Sequence, residues 1–183
     1  MNPKSAQIAA DRPRPVNEFE IENGRWRPDP ERSMIAFRVP WFYGLRTVTG
    51  RFERYEGTMD LHREPAIELS IEAASLNTGN ARRDEHLRSA DFFDVQRAPV
   101  VHFRSEDAIL DGERLRIRGS LEAAGNSIQL QFEASLRRHG NELAMRARML
   151  LDQRLLGMGW TPLGLVPSPS ELIVDAVLLH DRD

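Results

Sequence analysis

Hydrophobic and polar residues alternate along most of this chain. In Ile67-Glu68-Leu69-Ser70-Ile71-Glu72-Ala73 the odd positions are apolar and the even ones polar. Leu115, Ile117, Gly119 and Leu121 alternate with Arg114, Arg116, Arg118 and Ser120. The set Ile128, Leu130, Phe132, Ala134 and Leu136 repeats the pattern, as does Leu143, Met145, Ala147, Met149 and Leu151. A period of two puts one face of each strand in the core and the other in water, which predicts an antiparallel sheet. Further strands are expected over residues 33–39, 48–60, 100–109 and 172–180, with an N-terminal one over 19–26. Turn signals at Asp111-Gly112, Ala124-Gly125-Asn126 and His139-Gly140-Asn141 join neighbours as hairpins. A meander of about eight strands closes most economically into an up-and-down barrel, because closure removes exposed edges. A two-sheet sandwich is the alternative.

Two segments break the alternation. The first, Arg82-Arg83-Asp84-Glu85-His86-Leu87-Arg88-Ser89-Ala90-Asp91-Phe92-Phe93-Asp94, crowds charge of both signs against two phenylalanines. Asn80 suits the N-cap of a short helix running to about Ser89. Asp84 and Arg88 stand four apart in the favourable sense for an ion pair worth about 0.2–0.5 kcal/mol. Leu87, Phe92 and Phe93 are expected to anchor the segment as a structural plug. Asp84 and His86, two apart, do not share a helical face, which speaks against an acid–base pair. The second break, residues 155–167, is apolar and rich in glycine and proline. A loop of that kind must pack on the barrel mouth, a partner subunit or a ligand.

Composition narrows the chemistry. The 183 residues fit one domain, 17–183, after a flexible lead-in over 1–16 that holds Pro13 and Pro15. There is no cysteine, which excludes disulfides, thiolate metal sites and cysteine nucleophiles. Lys4 is the only lysine, so lysine-based catalysis is not expected. The five histidines, His62, His86, His102, His139 and His180, lack HxH or HExxH spacing. No cofactor or metal is expected. A net charge of −3 gives no reason to expect nucleic acid as a partner. No apolar run is long enough for a signal peptide or a membrane span, so a cytoplasmic location without membrane insertion is the expectation.

Several stretches together resemble the YceI-like family of lipocalin-like, polyisoprenoid-binding proteins. They are Trp26-x-Pro28-Asp29-Pro30-x-x-Ser33-x-Ile35-x-Phe37-x-Val39, Gly50-x-Phe52 with Gly57, and Ser75-Leu76-Asn77-Thr78-Gly79-Asn80. The series continues with Arg83-Asp84-x-His86-Leu87-Arg88-Ser89-x-Asp91-Phe92-Phe93-Asp94, Pro99, Phe103-x-Ser105 and Gly119-x-Leu121. The resemblance spans about residues 24–180. Trp41 stands where the family often has histidine, and Leu156 where it has an aromatic residue. The resemblance implies an all-β fold: an eight-stranded antiparallel lipocalin-like β-barrel with one short helix after the fourth core strand. It also implies non-catalytic binding, sequestration or transport of an isoprenoid-chain lipid or similar amphipathic molecule.

The candidate ligand-binding residues are Phe37, Val39, Trp41, Phe52, Ile71, Phe103, Ile117, Leu121, Phe132, Met145 and Met149, with Met158 and Trp160 at the closed end or the mouth. Methionines would let the wall adapt to a flexible chain. Two other functions stay open: a dimeric, stress-related interaction protein with no occupied cavity, docking through residues 155–167, and a lipid-modifying enzyme using Asp84 and His86.

Overall fold

The computed structural model describes residues 21–41, 46–62, 64–158 and 169–181. The expected lead-in over 1–16 and most of the apolar loop fall outside them, as does the start of the expected first strand.

The strands are β1 (Arg25–Pro28), β2 (Met34–Trp41), β3 (Arg46–Phe52), β4 (Tyr55–Asp60), β5 (Ala66–Glu72) and β6 (Leu76–Asn77). After the helix α1 (Ala81–Arg88) come β7 (Val100–Asp111), β8 (Arg114–Ala123), β9 (Asn126–His139), β10 (Glu142–Leu151) and β11 (Ser170–His180). All pairings are antiparallel. The order β1-β4-β5-β7-β8-β9-β10-β11 closes on itself, because β11 also pairs with β1. The result is an eight-stranded barrel. The helix follows the strand at Ile67, the fourth as the sequence counts them.

The first two staves of the barrel are interrupted. β11 pairs with β1 through His180, Leu179 and Leu178, and with β2 over 171–175. Pro28 and Pro30 lack the N–H that a continuous ladder needs. Ser33 repairs the gap: its hydroxyl donates to the Val177 carbonyl at 3.2 Å and accepts from the Val177 N–H at 3.0 Å. The stretch read as one strand over 48–60 is likewise split between β3 and β4. There the buried Ser75 hydroxyl accepts from the Arg54 N–H at 3.1 Å and donates to the Glu72 carbonyl at 2.7 Å.

Alternation in β8 matches burial residue by residue: Leu115, Ile117, Gly119, Leu121 and Ala123 are buried between exposed or half-buried neighbours. In β7 the inward set changes from Val101 and Phe103 to Ala108 and Leu110, because a bulge between Ser105 and Asp107 inserts one residue. Opposite the bulge, Gly119 meets the partner backbone closely. A Cβ there would lie 2.3 Å from the Arg104 carbonyl oxygen. At the β8–β9 hairpin, Ala124 and Gly125 both take positive φ, 50° and 74°, the pattern of a type I′ turn. The outer wall carries cross-strand ion pairs such as Arg104–Glu68 at 2.9 Å and Arg146–Asp175 at 3.2 Å. Each is exposed and contributes little on its own.

Candidate ligand-binding cavity

The barrel interior divides along its length. At the end carrying the β7–β8 and β9–β10 turns, Trp26, Leu115, Ile117, Leu136 and Leu143 are fully buried and fill the lumen. Trp26 meets the His180 ring edge-on at 4.7 Å and donates its indole N–H to the Glu22 carbonyl. Above this plug the lumen is hollow. A cavity of about 770 Å³ extends from Met59, Ile67 and Leu178 to α1. That volume is ordinary for a pocket that takes a small organic molecule.

Most of the candidate binding residues come together there. Phe37 and Val39 of β2, Phe52 of β3, Ile71 of β5 and Phe103 of β7 face the cavity. Leu121 of β8, Phe132 of β9, Met145 and Met149 of β10, and Met158 do so from the far wall. Ile117 is a correction: it points inward but belongs to the plug and does not line the hollow. Alternation gives the face of the sheet, not the height along the barrel. The side chain of Trp41 and the whole of Trp160 lie outside the described residues. Of the apolar loop only its start is described, where Leu155 is 65% exposed while Leu156 and Met158 are buried.

The cavity also has lining residues that sequence reasoning missed. Tyr55, Leu69, Val101 and Leu130 belong to alternating faces, and the period-two signal could have found them. Tyr55 donates its hydroxyl to the Ser33 carbonyl at 2.7 Å. Burial, with a smaller push from the Asp29 charge, holds its phenol above the ordinary value, so it remains a neutral donor. Asn80, Arg82, Arg83 and His86 reach the cavity from α1. No local pattern could have placed them there, because only the chain's return over the barrel end does so.

The charged segment is a plug as expected, and Phe93 anchors it. Its ring packs against Phe52 at 5.7 Å and Phe37 at 6.5 Å, and Phe92 stands edge-on to His86 at 5.1 Å. Asn80 caps the helix by accepting from the Arg83 N–H at 3.1 Å. The expected Asp84–Arg88 ion pair does not form. Asp84, 7% exposed, accepts instead from the Thr78 N–H at 3.0 Å and from the Thr78 hydroxyl. Arg88 donates to the carbonyls of Ala74 at 2.9 Å and Leu76 at 2.7 Å. Both side chains tie α1 to the segment before it, where backbone carbonyls and amides need partners more than the two side-chain charges need each other. Asp84→Ala would leave the Thr78 amide unpaired. It is expected to cost about 1–3 kcal/mol in urea unfolding; an unchanged midpoint would show that the tie is dispensable.

With Asp84 spent on Thr78 and His86 set against Phe92, the two do not form a dyad. Among the described residues no group of three or more metal-ligating side chains comes together, and no helix is long and apolar enough to cross a membrane.

Known proteins share this fold. The family model of the YceI-like domain matches residues 26–179. Protein YceI of Escherichia coli O157:H7 is 31% identical over 116 residues, 61% of this chain and 60% of the relative. The matched region thus spans less than two thirds of that relative's length. Among solved structures, BcnA of Burkholderia cenocepacia superposes with a TM-score of 0.75 at 13% identity, over 84% of this chain and 99% of that one. A polyisoprenoid binding domain from Saccharophagus degradans, implicated in plant cell wall breakdown, superposes with a TM-score of 0.67 at 12% identity. It covers 85% of this chain and 98% of its own. Both likenesses concern the fold. With the matched residues running from the plug's Trp26 to Leu179 near the end of β11, the chain belongs to the YceI-like domain family.

Proposed function

We propose that the hollow half of the barrel holds the chain of an isoprenoid lipid or a similar amphipathic molecule. In this reading the protein binds, sequesters or carries the molecule without changing it. The observation that supports this is the cavity: about 770 Å³ of space bounded almost wholly by aliphatic, aromatic and methionine side chains. Each methylene moved there from water contributes about 0.8 kcal/mol. About ten of them, roughly 8 kcal/mol, correspond to a micromolar Kd before ordering costs. The lining residues Met59, Met145, Met149 and Met158 would let the wall follow a flexible chain. The name of the Saccharophagus domain agrees with a polyisoprenoid as the ligand class.

Organic extraction of freshly purified protein, followed by mass spectrometry, is expected to release a long apolar molecule in amounts approaching one per chain. An empty extract from a host that makes such lipids, together with no uptake of added polyprenol, would remove the carrier reading.

A further inference from the structure

The barrel wall is not laddered throughout. β9 pairs with β10 from His139–Glu142 as far as Ala134–Ala147 and no further. Beyond that point each strand keeps its other neighbour: β9 stays on β8 as far as Asn126, and β10 on β11 as far as Leu151. Among the described residues the two strands have no pairing with each other there. The same register, continued, would set Phe132 opposite Met149 and Gln131 opposite Leu150. The strands part instead, and they do so beside the hollow half of the barrel, since Leu130, Phe132, Met149 and Leu151 all line the cavity.

The gap is bounded at both ends. At one, the ladder resumes with Ala134 and Ala147, both buried. At the other, the short 3-10 helix Gln153–Leu156 is tied to the head of β9: the Asn126 side-chain amide donates to the carbonyl of the buried Leu156 at 3.0 Å. The window between them runs along residues 127–133 of β9, about 20–25 Å of extended strand. Burial follows the pairing. Phe103 of β7 and Leu121 of β8 face the hollow with a strand on each side, and each is 7% exposed. Ile128, Leu130 and Phe132 on β9 and Met149 on β10 belong to the inward sets too, yet are only half-buried. The outer side of β9 changes as well: Ser127, Gln129 and Gln131 along the window are neutral, and charge begins only at Glu133. The two most exposed large apolar side chains among the described residues flank the window, Leu150 on β10 at 71% and Leu155 on the 3-10 helix at 65%. An uncharged slit with an apolar rim lets a hydrocarbon chain pass without crossing a polar wall.

We propose that this window between β9 and β10 is the portal through which the chain enters and leaves the cavity, sideways between two strands. This rests on the carrier reading above and adds the route. The competing route, end-on past α1, is narrowed by Phe93, whose ring stands against Phe52 and Phe37.

The protein has no cysteine, so a pair introduced by Gln131→Cys and Leu150→Cys can be bridged selectively with a short bismaleimide, laying a tether across the window. Uptake and release of tritiated geranylgeraniol are timed for the bridged and unbridged forms of this variant, with circular dichroism reporting the fold. Bridging is expected to slow both rates by about tenfold or more and to leave the Kd within about twofold, because an obstructed path raises the barrier equally in both directions. Bridging Ser135→Cys to Arg146→Cys, opposite each other in the laddered half, should change neither rate. Unchanged rates with the window bridged, or weaker binding without slower release, would overturn the portal and leave the carrier reading standing. Failure of the native protein to take up the alcohol would overturn both. Amide hydrogen exchange tests the window without any variant: alternate amides of 127–133, those turned away from β8, should exchange about tenfold or more faster than the amides of 134–137. Equal protection of the two stretches would mean a closed wall in solution and would also overturn the portal.

Discussion

Trp26→Ala is expected to lower the stability of the barrel by about 3–5 kcal/mol, the usual cost of emptying a large aromatic site. Trp26 is 1% exposed and is the bulkiest member of the plug. Its cross-strand neighbours are Met59 on β4 and His180 on β11. It therefore sits at the seam where the first and last staves close the cylinder. Removing it costs the apolar burial, the edge-on ring contact and the indole hydrogen bond together. A typical domain has about 5–15 kcal/mol in all, so the variant should be marginal at 37 °C. Urea unfolding followed by circular dichroism measures the change. The fraction that folds should still take up a chain, because the hollow lies on the other side of Met59, Ile67 and Leu178. A midpoint equal to that of the native protein would mean that the seam is held elsewhere.

Phe132→Glu is expected to have the opposite profile: a folded barrel whose affinity for geranylgeraniol falls by about a hundredfold or more. Phe132 faces the cavity from β9, opposite Ile117 in the β8–β9 register, with its ring 5.7 Å from Phe103. In the empty protein a carboxylate there can keep water around it. An incoming apolar chain strips that water away, and among the described residues the arginines of the cavity wall stand at the far end, on α1. The cost is thus paid on binding, not on folding. Calorimetry reads the affinity and circular dichroism the fold. A folded variant that binds the alcohol as the native protein does would place the chain outside this hollow.

The two variants separate the halves of the barrel, and that division marks how far the sequence could be read. Along β8 and β9 the alternation of Leu115 to Leu121 and of Ile128 to Leu136 carries the strands, their faces and the hairpin between them. The helix cap at Asn80 and the anchor at Phe93 were equally readable, because cap chemistry and adjacent aromatics are local. The interruption at Pro28 and Pro30 had a signal as well, in two residues that cannot donate to a ladder. The bulge beside Gly119 had a fainter one, in the change of parity between Phe103 and Ala108. The Asp84–Arg88 pair shows where local reasoning fails. Helical spacing allowed it, but the unpaired backbone groups of 74–78, brought beside α1 by the fold, were the stronger partners.

The amino-acid order alone determined that this chain makes amphipathic strands joined by tight turns, with one charged helical interruption, no cysteine, and Lys4 as its one lysine. That much follows from the period of two and from side-chain types, which act within a few residues. Tertiary structure decided which inward side chains pack against each other and which face empty space. Ile117 and Leu121 share a strand and a face, yet one is plug and the other cavity wall. The difference is height along the barrel and what stands across the lumen, both set by the register of closure between β1 and β11. The same closure carries Arg82 and Arg83, distant in sequence from most of the apolar wall, to its open end.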